Sequence, residues 1–464
     1  MRTVSLALIP YLLVLPSLRA PVLAARSESG PNVILLLSDD QGWGDLGSRG
    51  HAVLQTPHLD GMARRGVCFE RFYAAAPVCS PTRGSVLTGR HPGRYGIDGA
   101  NVGHLPAEES TLAELLAARG YATGHFGKWH LGTLTRDQRD SNRGGMQQHA
   151  AHYAPPWEHG FERCFSTEAK LPTYDPMLEP GTGEPYGTAY WNERGERVTS
   201  NLSGDDSRVI MDRVLPFVRG AVEDGRPFLA VVWFHAPHKP VVAGPVDLAS
   251  YADEPDPDRQ RYYACLTALD REVGRLLDSL QDLGVARDTL VWFASDNGPE
   301  GAAGRGPGST GGLRGRKRSL YEGGIRVPGM LLWPARFAQP RVITEPCTTL
   351  DILPTVAAAV GFELPRGRVL DGVDLLPLLE GRAHEPLPPR IFESGERAAV
   401  ILGDEKGVSS DGGVTWEVYD LASDPAERRD LAAQRPASAA RMRGLFASWR
   451  AVRDRSRQGA DYGR

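Results

Sequence analysis

Three runs of consecutive apolar residues constrain this chain more than anything else in it. Residues 33–37, 228–234 and 289–294 are rich in β-branched, leucine and aromatic side chains and show little of the alternation of a half-exposed strand. A strand apolar at nearly every position has to be covered on both faces, as the central strands of a sheet between helices are. Each run stops in a polar cluster: Ser38-Asp39-Asp40 after the first, His235-Ala236-Pro237-His238 after the second, Ser295-Asp296-Asn297-Gly298 after the third. The carboxyl ends of strands in such a sheet border the crevice where ligands bind, so clusters far apart in sequence are expected to converge on one site.

Helices fit between these strands. One is expected from a Ser110 or Thr111 cap to a stop at Gly120. A longer one is expected over 262–283, where Leu266, Leu269, Val273, Leu276, Leu277 and Leu280 recur at helical spacing and Gly284 follows. Residues 134–206 are rich in Pro, Gly, Gln, His and charge, with little periodicity, and read as long surface excursions suited to substrate selection. The glycine-dense stretch 298–315 reads equally as a plain surface loop or as one that closes over a ligand. A proline-rich boundary at Glu385-Pro386-Leu387-Pro388-Pro389 precedes short strands and a last helix around 437–452. The expected division is a signal peptide at 1–25, a catalytic domain at 26–384 and a C-terminal subdomain at 385–464.

The signal peptide rests on Arg2, an apolar block over residues 4–18 and the small residues that end at Ala24-Ala25. An uncleaved anchor is the competing reading, but the block is short and Pro10 and Pro16 interrupt it. Export to periplasm, cell exterior or lysosome is expected, with no membrane span in the mature chain. Export would place five cysteines (Cys68, Cys79, Cys164, Cys265, Cys347) in an oxidising compartment, where an odd count leaves one over. A formal net charge of −4 on 464 residues gives no basic field for nucleic acid, so an anionic ligand has to be bound locally.

Asp39, Asp40, Asp296 and Asn297 offer only oxygen ligands, a set that suits Ca²⁺ or Mg²⁺ rather than zinc. Taken singly, Asp-Asp or Asp-Asn after a strand is more often a turn or helix cap; two such pairs at buried strand ends favour a cation. Cys79-Ser80-Pro81-Thr82-Arg83 leads into Gly84-Ser85-Val86-Leu87, with Pro81 suited to a first helical turn. Cys79 is then expected at a helix N-terminus, where exposed amides favour an anion and Arg83 lies one turn on. An isolated exported cysteine is more often structural, and a thiolate phosphatase needs a longer spacing between cysteine and arginine. Lys128 and His130, with His238 and Lys317, complete the chemistry of a tetrahedral-anion site, although each alone is more often solvated or structural.

These residues resemble a known family. Cys79-Ser80-Pro81-Thr82-Arg83 is similar to the Cys-x-Pro-x-Arg signature of the type I sulfatases of the alkaline phosphatase superfamily, among them arylsulfatases and N-acetylgalactosamine-6-sulfatases. It is joined in the family's order by Pro31 to Asp40, Gly127-Lys128-Trp129-His130, Ala236-Pro237-His238-Lys239-Pro240, Ser295-Asp296-Asn297-Gly298, Gly315-Arg316-Lys317 and Tyr321-Glu322-Gly323-Gly324. The resemblance implies an α/β fold, with a large mixed sheet between helices and a smaller C-terminal domain on an antiparallel sheet. It implies one Ca²⁺ held by Asp39, Asp40, Asp296, Asn297 and residue 79, the last oxidised to formylglycine by a formylglycine-generating enzyme. In the implied mechanism the hydrated aldehyde attacks sulfur, aided by Asp296, while Arg83 and Lys128 steady the nucleophile and the sulfate. His238, aided by Lys317, protonates the leaving alcohol, and His130 takes the second hydroxyl's proton to expel sulfate. His235 is the alternative to His238, and Arg314, Arg316 and Arg318 are alternatives to Lys317.

The function implied is hydrolysis of aryl or carbohydrate sulfate esters. One competing enzyme is a phosphodiester or phosphonate monoester hydrolase of the same superfamily. A non-catalytic protein binding sulfated glycans is the alternative from another class; it would have no need of the full set of polar groups.

Overall fold

A computed structural model describes residues 30–140, 143–302 and 304–462. The signal peptide expected at 1–25 lies outside the described residues. Among those that are described, no helix is long and apolar enough to cross a membrane.

The three apolar runs are the middle of a ten-stranded mixed sheet. Its order is Arg341–Ile343, Val67–Phe69, Gly329–Leu332, Thr289–Ser295, Asn32–Ser38, Phe228–Trp233, Ala122–Lys128, Arg163–Thr167, Tyr190–Asn192 and Arg197–Val198. The four strands from Thr289–Ser295 to Ala122–Lys128 run parallel. Alternate side chains feed two cores: Val33, Leu35 and Leu37 join Leu229, Val231 and Trp233 on one face, while Ile34 and Leu36 join Phe228, Ala230 and Val232 on the other. All of these are buried, and a fully buried large apolar side chain is worth about 1.5–3 kcal/mol over its exposed state. The polar strand ends are therefore held by the sheet rather than by each other.

The register sets the site. Ser38 is level with Ser295, and Leu37 with Trp233. One step further, Asp296 N donates to Ser38 O at 3.1 Å and Asp39 N to Ala236 O at 3.0 Å, so the three polar clusters leave the sheet side by side.

The expected helices are present with shifted ends. The first runs over Leu112–Ala117, capped by a Thr111/Glu114 capping box. The long one is Pro257–Asp282, beginning earlier than the leucine spacing suggests because Asp256 caps the amides of Asp258 and Arg259. Residues 134–206 are not simply surface: they supply three strands, and Cys164, Phe165, Ser166, Thr167, Tyr190 and Trp191 are buried. Strands of two to five residues are too short to print a period on a polar sequence. The helix Asp206–Glu223 follows, with Val209, Ile210, Val214 and Val218 buried.

A separate antiparallel sheet, Arg390–Ser394, Arg397–Leu402, Glu405–Ser409 and Glu417–Asp420, carries the terminal helix Pro436–Arg457. Lys406 of this sheet is fully buried between Glu322 and Glu427, at 2.9 Å from each. Glu322 lies five residues after Lys317, so the small sheet braces the segment that delivers that lysine.

Candidate active site

Cys79 opens the helix Cys79–Thr88, every residue of which is buried. Thr82 fixes the entry turn, its hydroxyl accepting from Ala76 N and donating to Ala76 O at 3.2 and 3.0 Å. The Cys79 thiol points at Asp39 Oδ1, 3.4 Å away. Burial, followed by the charge of Asp296, pushes this thiol far above its ordinary range despite Lys128 and Lys317. As a thiol it is protonated and a poor nucleophile.

Around it stand three carboxylates and three cations. Arg83, completely buried, donates from Nε and one terminal nitrogen to Asp296 Oδ2 at 3.1 and 2.7 Å, and from the other to Lys128 O at 2.9 Å. Its guanidinium lies over Trp233 at 5.2 Å. Lys128 Nζ reaches Asp39 Oδ2 at 2.6 Å, and Lys317 Nζ reaches both oxygens of Asp40 at 2.6 and 2.7 Å. Gly127 allows Lys128 to take its place: its φ is +101°, and a Cβ there would run into the Trp233 carbonyl. Against the cost of burial, Lys128, His238 and Arg83 hold Asp39 well below the carboxylate range. Burial and then Asp39 push Asp296 up to about 7, with Arg83 pulling the other way.

The arginines beside Lys317 are spent elsewhere. Arg314 donates to Tyr419 and Glu427, Arg316 to the carbonyls of Glu300 and Gly308, and Arg318 to the Glu300 carboxylate. The two histidines of the 235–238 segment also separate. His235 is fully buried between Asp206 (2.8 Å) and Thr167 (2.7 Å), which occupy both ring nitrogens. His238 donates from Nδ1 to Lys239 O at 2.6 Å, leaving Nε2 3.8 Å from Asp40 Oδ2. Burial pulls its basicity down to about 4, with Asp39 opposing and Lys128 assisting.

Burial, then Lys128 and Arg83, hold His130 neutral. Nε2 donates to Asn101 Oδ1 at 2.9 Å and Nδ1 is buried without a hydrogen-bond partner, so a lone pair is left at Nδ1. Asp40 (φ 68°) and His130 (φ 59°) both adopt the left-handed backbone region, a cost of about 1–3 kcal/mol each that persists where the surroundings dictate the conformation.

One ligand atom each from Asp39, Asp40, Cys79 and His238 falls within 4.8 Å of all the others. Asp296 and Asn297 adjoin this group: Asp296 Oδ1 accepts from Asp40 N at 3.1 Å, and Asn297 Nδ2 donates to Asp40 Oδ1 at 2.6 Å. Asn297 Oδ1 is buried with no hydrogen-bond partner. An orphaned amide oxygen beside three carboxylates, one of them pushed towards neutrality, fits a hard cation. His238 joins the cluster although the oxygen-donor pattern did not include it.

The 298–315 loop is folded down on this site. Asp45 accepts from Gly42 N, Ser309 N and Tyr262 OH at 2.7–2.8 Å, and Gly44 N donates to Ser309 O. Thr82, Asn101 and Asp45 escape a reading of the sequence. Asn101 sits in a glycine-rich turn far from His130, and nothing in its neighbours announces a partner.

A sequence model of the sulfatase family matches residues 31–362. The chain belongs to the sulfatase family. It is a sulfuric ester hydrolase; the family implies a metal site, and the Asp39, Asp40, Cys79 and His238 cluster is one that could hold an ion. This sulfatase is 37% identical over 371 residues to arylsulfatase A of Homo sapiens, covering 78% of this chain and 70% of that one. It is 33% identical over 419 residues to N-acetylgalactosamine-6-sulfatase of Canis lupus familiaris, covering 85% and 75%. Among solved structures, Ps i-CgsB in complex with k-i-k-neocarrahexaose superposes with a TM-score of 0.78 at 26% identity, covering 90% of this sulfatase and 92% of that chain. All five cysteines are free, so the odd count carries no information about pairing.

Proposed function

We propose that this sulfatase cleaves carbohydrate or aryl sulfate esters through a formylglycine made from Cys79, with a calcium ion held by Asp39, Asp40, Asp296, Asn297 and residue 79. The observation that carries this reading is the state of Cys79: a buried, protonated thiol at a helix N-terminus, ringed by Lys128, Lys317 and Arg83. An anion site built around a thiol whose ionisation is opposed by burial and by Asp296 favours a different nucleophile at that position. Formylglycine, once hydrated, would supply a hydroxyl nucleophile on a carbon that can later expel its product, and a calcium ion held by these residues would offset charge on the sulfuryl oxygens.

The chain's own residues do the rest. Asp296, aligned by Arg83 at 2.7 Å, takes the proton of the attacking hydroxyl. Lys128 and Lys317 turn from their carboxylates to the sulfuryl oxygens as charge develops there. His238, protonated when the anionic ester enters beside it, hands its Nε2 proton to the leaving oxygen, with Lys317 alongside. His130 Nδ1 takes the proton whose loss releases sulfate, and Asn101 holds the ring in the tautomer this needs. The relatives named for N-acetylgalactosamine 6-sulfate and the neighbour bound to a neocarrahexaose favour a sulfated glycan as the natural substrate. Residues 1–25 act as an export signal, and 385–464 form the bracing subdomain.

The test is a parallel assay of aryl sulfates and aryl phosphate diesters before and after chelation. Sulfate turnover that is lost on chelation and restored by Ca²⁺ is expected; a preference for the diester, or turnover indifferent to chelation, contradicts the reading.

A further inference from the structure

A cavity of about 380 Å³ opens beside the catalytic cluster, lined by Lys170, Lys239, Pro240, Val241, Asp258, Arg261 and Pro307. It shares its wall with the site: Lys239 follows His238, and its carbonyl accepts the His238 Nδ1 proton. Lys170 follows the strand end that supplies Thr167, the partner of His235. The two lysine segments are bound together, Thr173 N donating to Pro240 O at 3.3 Å and Thr173 Oγ1 to Val242 O at 2.6 Å. Pro307 comes from the loop fastened over the site through Ser309.

The lining is electropositive on a chain that is acidic overall. Arg261 is paired with Asp258 at 2.5 Å, whereas neither lysine makes an ion pair among the described residues. Two uncommitted ammonium groups on flexible stems, with the flat apolar walls of Pro240, Val241 and Pro307 between them, match a sugar ring carrying an acidic substituent. A larger cavity, about 700 Å³ along the Asp206–Glu223 helix, touches no catalytic residue and offers no such continuity.

We propose that Lys170 and Lys239 form a subsite for a second anionic group on the substrate, so that this sulfatase acts on glycans in which the target sulfate is accompanied by a carboxylate or another sulfate. The proposal rests on the sulfatase reading above and adds the substrate class. Each lysine meets the second anion at the rim, where an exposed pair contributes modestly, and the two together give about a tenfold preference. The backbone carbonyl that steadies His238 is untouched when either side chain is shortened.

The experiment measures kcat/KM for aryl sulfates bearing a side arm of increasing length, each made as a carboxylate and as the matching neutral carboxamide. At the arm length that reaches the cavity, the carboxylate is expected to be favoured about tenfold, mainly through KM. In Lys170→Ala that preference falls to about threefold while turnover of the carboxamides stays within about twofold; in Lys170→Ala/Lys239→Ala it falls to near one, and Lys170→Glu/Lys239→Glu reverses it. A ratio near one at every arm length in the parent enzyme, or a preference that survives in the double alanine variant, overturns the subsite. Failure to turn over any member of either series strikes the sulfatase reading itself, and the subsite with it, and is distinguished by that pattern.

Discussion

Arg83→Met is the perturbation with the most to say about how this site is built. The side chain is completely buried, spans two hydrogen bonds to Asp296 Oδ2 and one to Lys128 O, and covers Trp233. Methionine keeps the bulk and removes the charge, leaving Asp296 buried beside Asp39 with no guanidinium. Breaking one side of a buried ion pair costs about 3–5 kcal/mol, because the abandoned charge keeps its full desolvation penalty. Neutralising the abandoned group removes most of that, so Arg83→Met/Asp296→Asn should recover about 2–3 kcal/mol of the loss, the upper part of the range for residues in contact. Urea unfolding followed by tryptophan fluorescence reads both numbers, with Trp233 under the guanidinium as a local reporter. Both variants should also lose about 10²–10³ in kcat, since the carboxylate proposed to take the nucleophile's proton is misaligned or gone. A single variant within 1 kcal/mol of the parent, or a double variant no more stable than the single, would refute the reasoning.

The two histidines give opposite results. His235→Asn takes one buried partner each from the Asp206 carboxylate and the Thr167 hydroxyl, which keep Tyr190 OH and Ala169 O, and should cost about 2–4 kcal/mol in urea unfolding, whereas His238→Asn, whose side chain is 17% exposed, should cost under about 1 kcal/mol and lower kcat by about 10²–10⁴; equal stability losses would contradict the assignment. Asp205, which caps the Asp206–Glu223 helix through Arg208 N, is pushed by burial up to about 8 from an ordinary 3.8. Its folded value is raised, so its contribution to stability is present below pH ~4 and is lost as pH climbs towards 8, by at most about 1.4 kcal/mol per pH unit. Asp205→Asn keeps the cap and should flatten the fall in urea midpoint between about pH 5 and 8; an unchanged slope counts against it.

Most of the candidate cluster was legible because its residues sit at the ends of strands too apolar to be anything but central. Asp39, Asp296 and His238 follow such strands, and the register of Ser38 against Ser295 converts that pattern into contact. The place of Cys79 at a helix N-terminus was legible through Pro81 and the local spacing, and the helix Cys79–Thr88 begins there. Other parts left no trace. The Arg163–Thr167 strand is five residues long and polar at its ends, so no period marks it, yet it carries Thr167, which holds His235. Asn101 and Asp45 act through contacts with His130 and Ser309 that only the closed fold creates. The 298–315 loop reads equally as a plain surface loop or as one that closes over a ligand because glycine is permissive, and the structure fastens it through Asp45 and Arg316.

The central claim is that residue 79 is an aldehyde when the enzyme works. The tryptic peptide from Phe72 to Arg83, released by cleavage after Arg71 and Arg83, carries that residue alone among the cysteines. Mass spectrometry of this peptide from fully active protein, made in its own host or with the maturing enzyme, is predicted to find an aldehyde in place of the thiol, trapped by a hydrazide probe. An unmodified Cys79 thiol in protein of full activity would contradict the account.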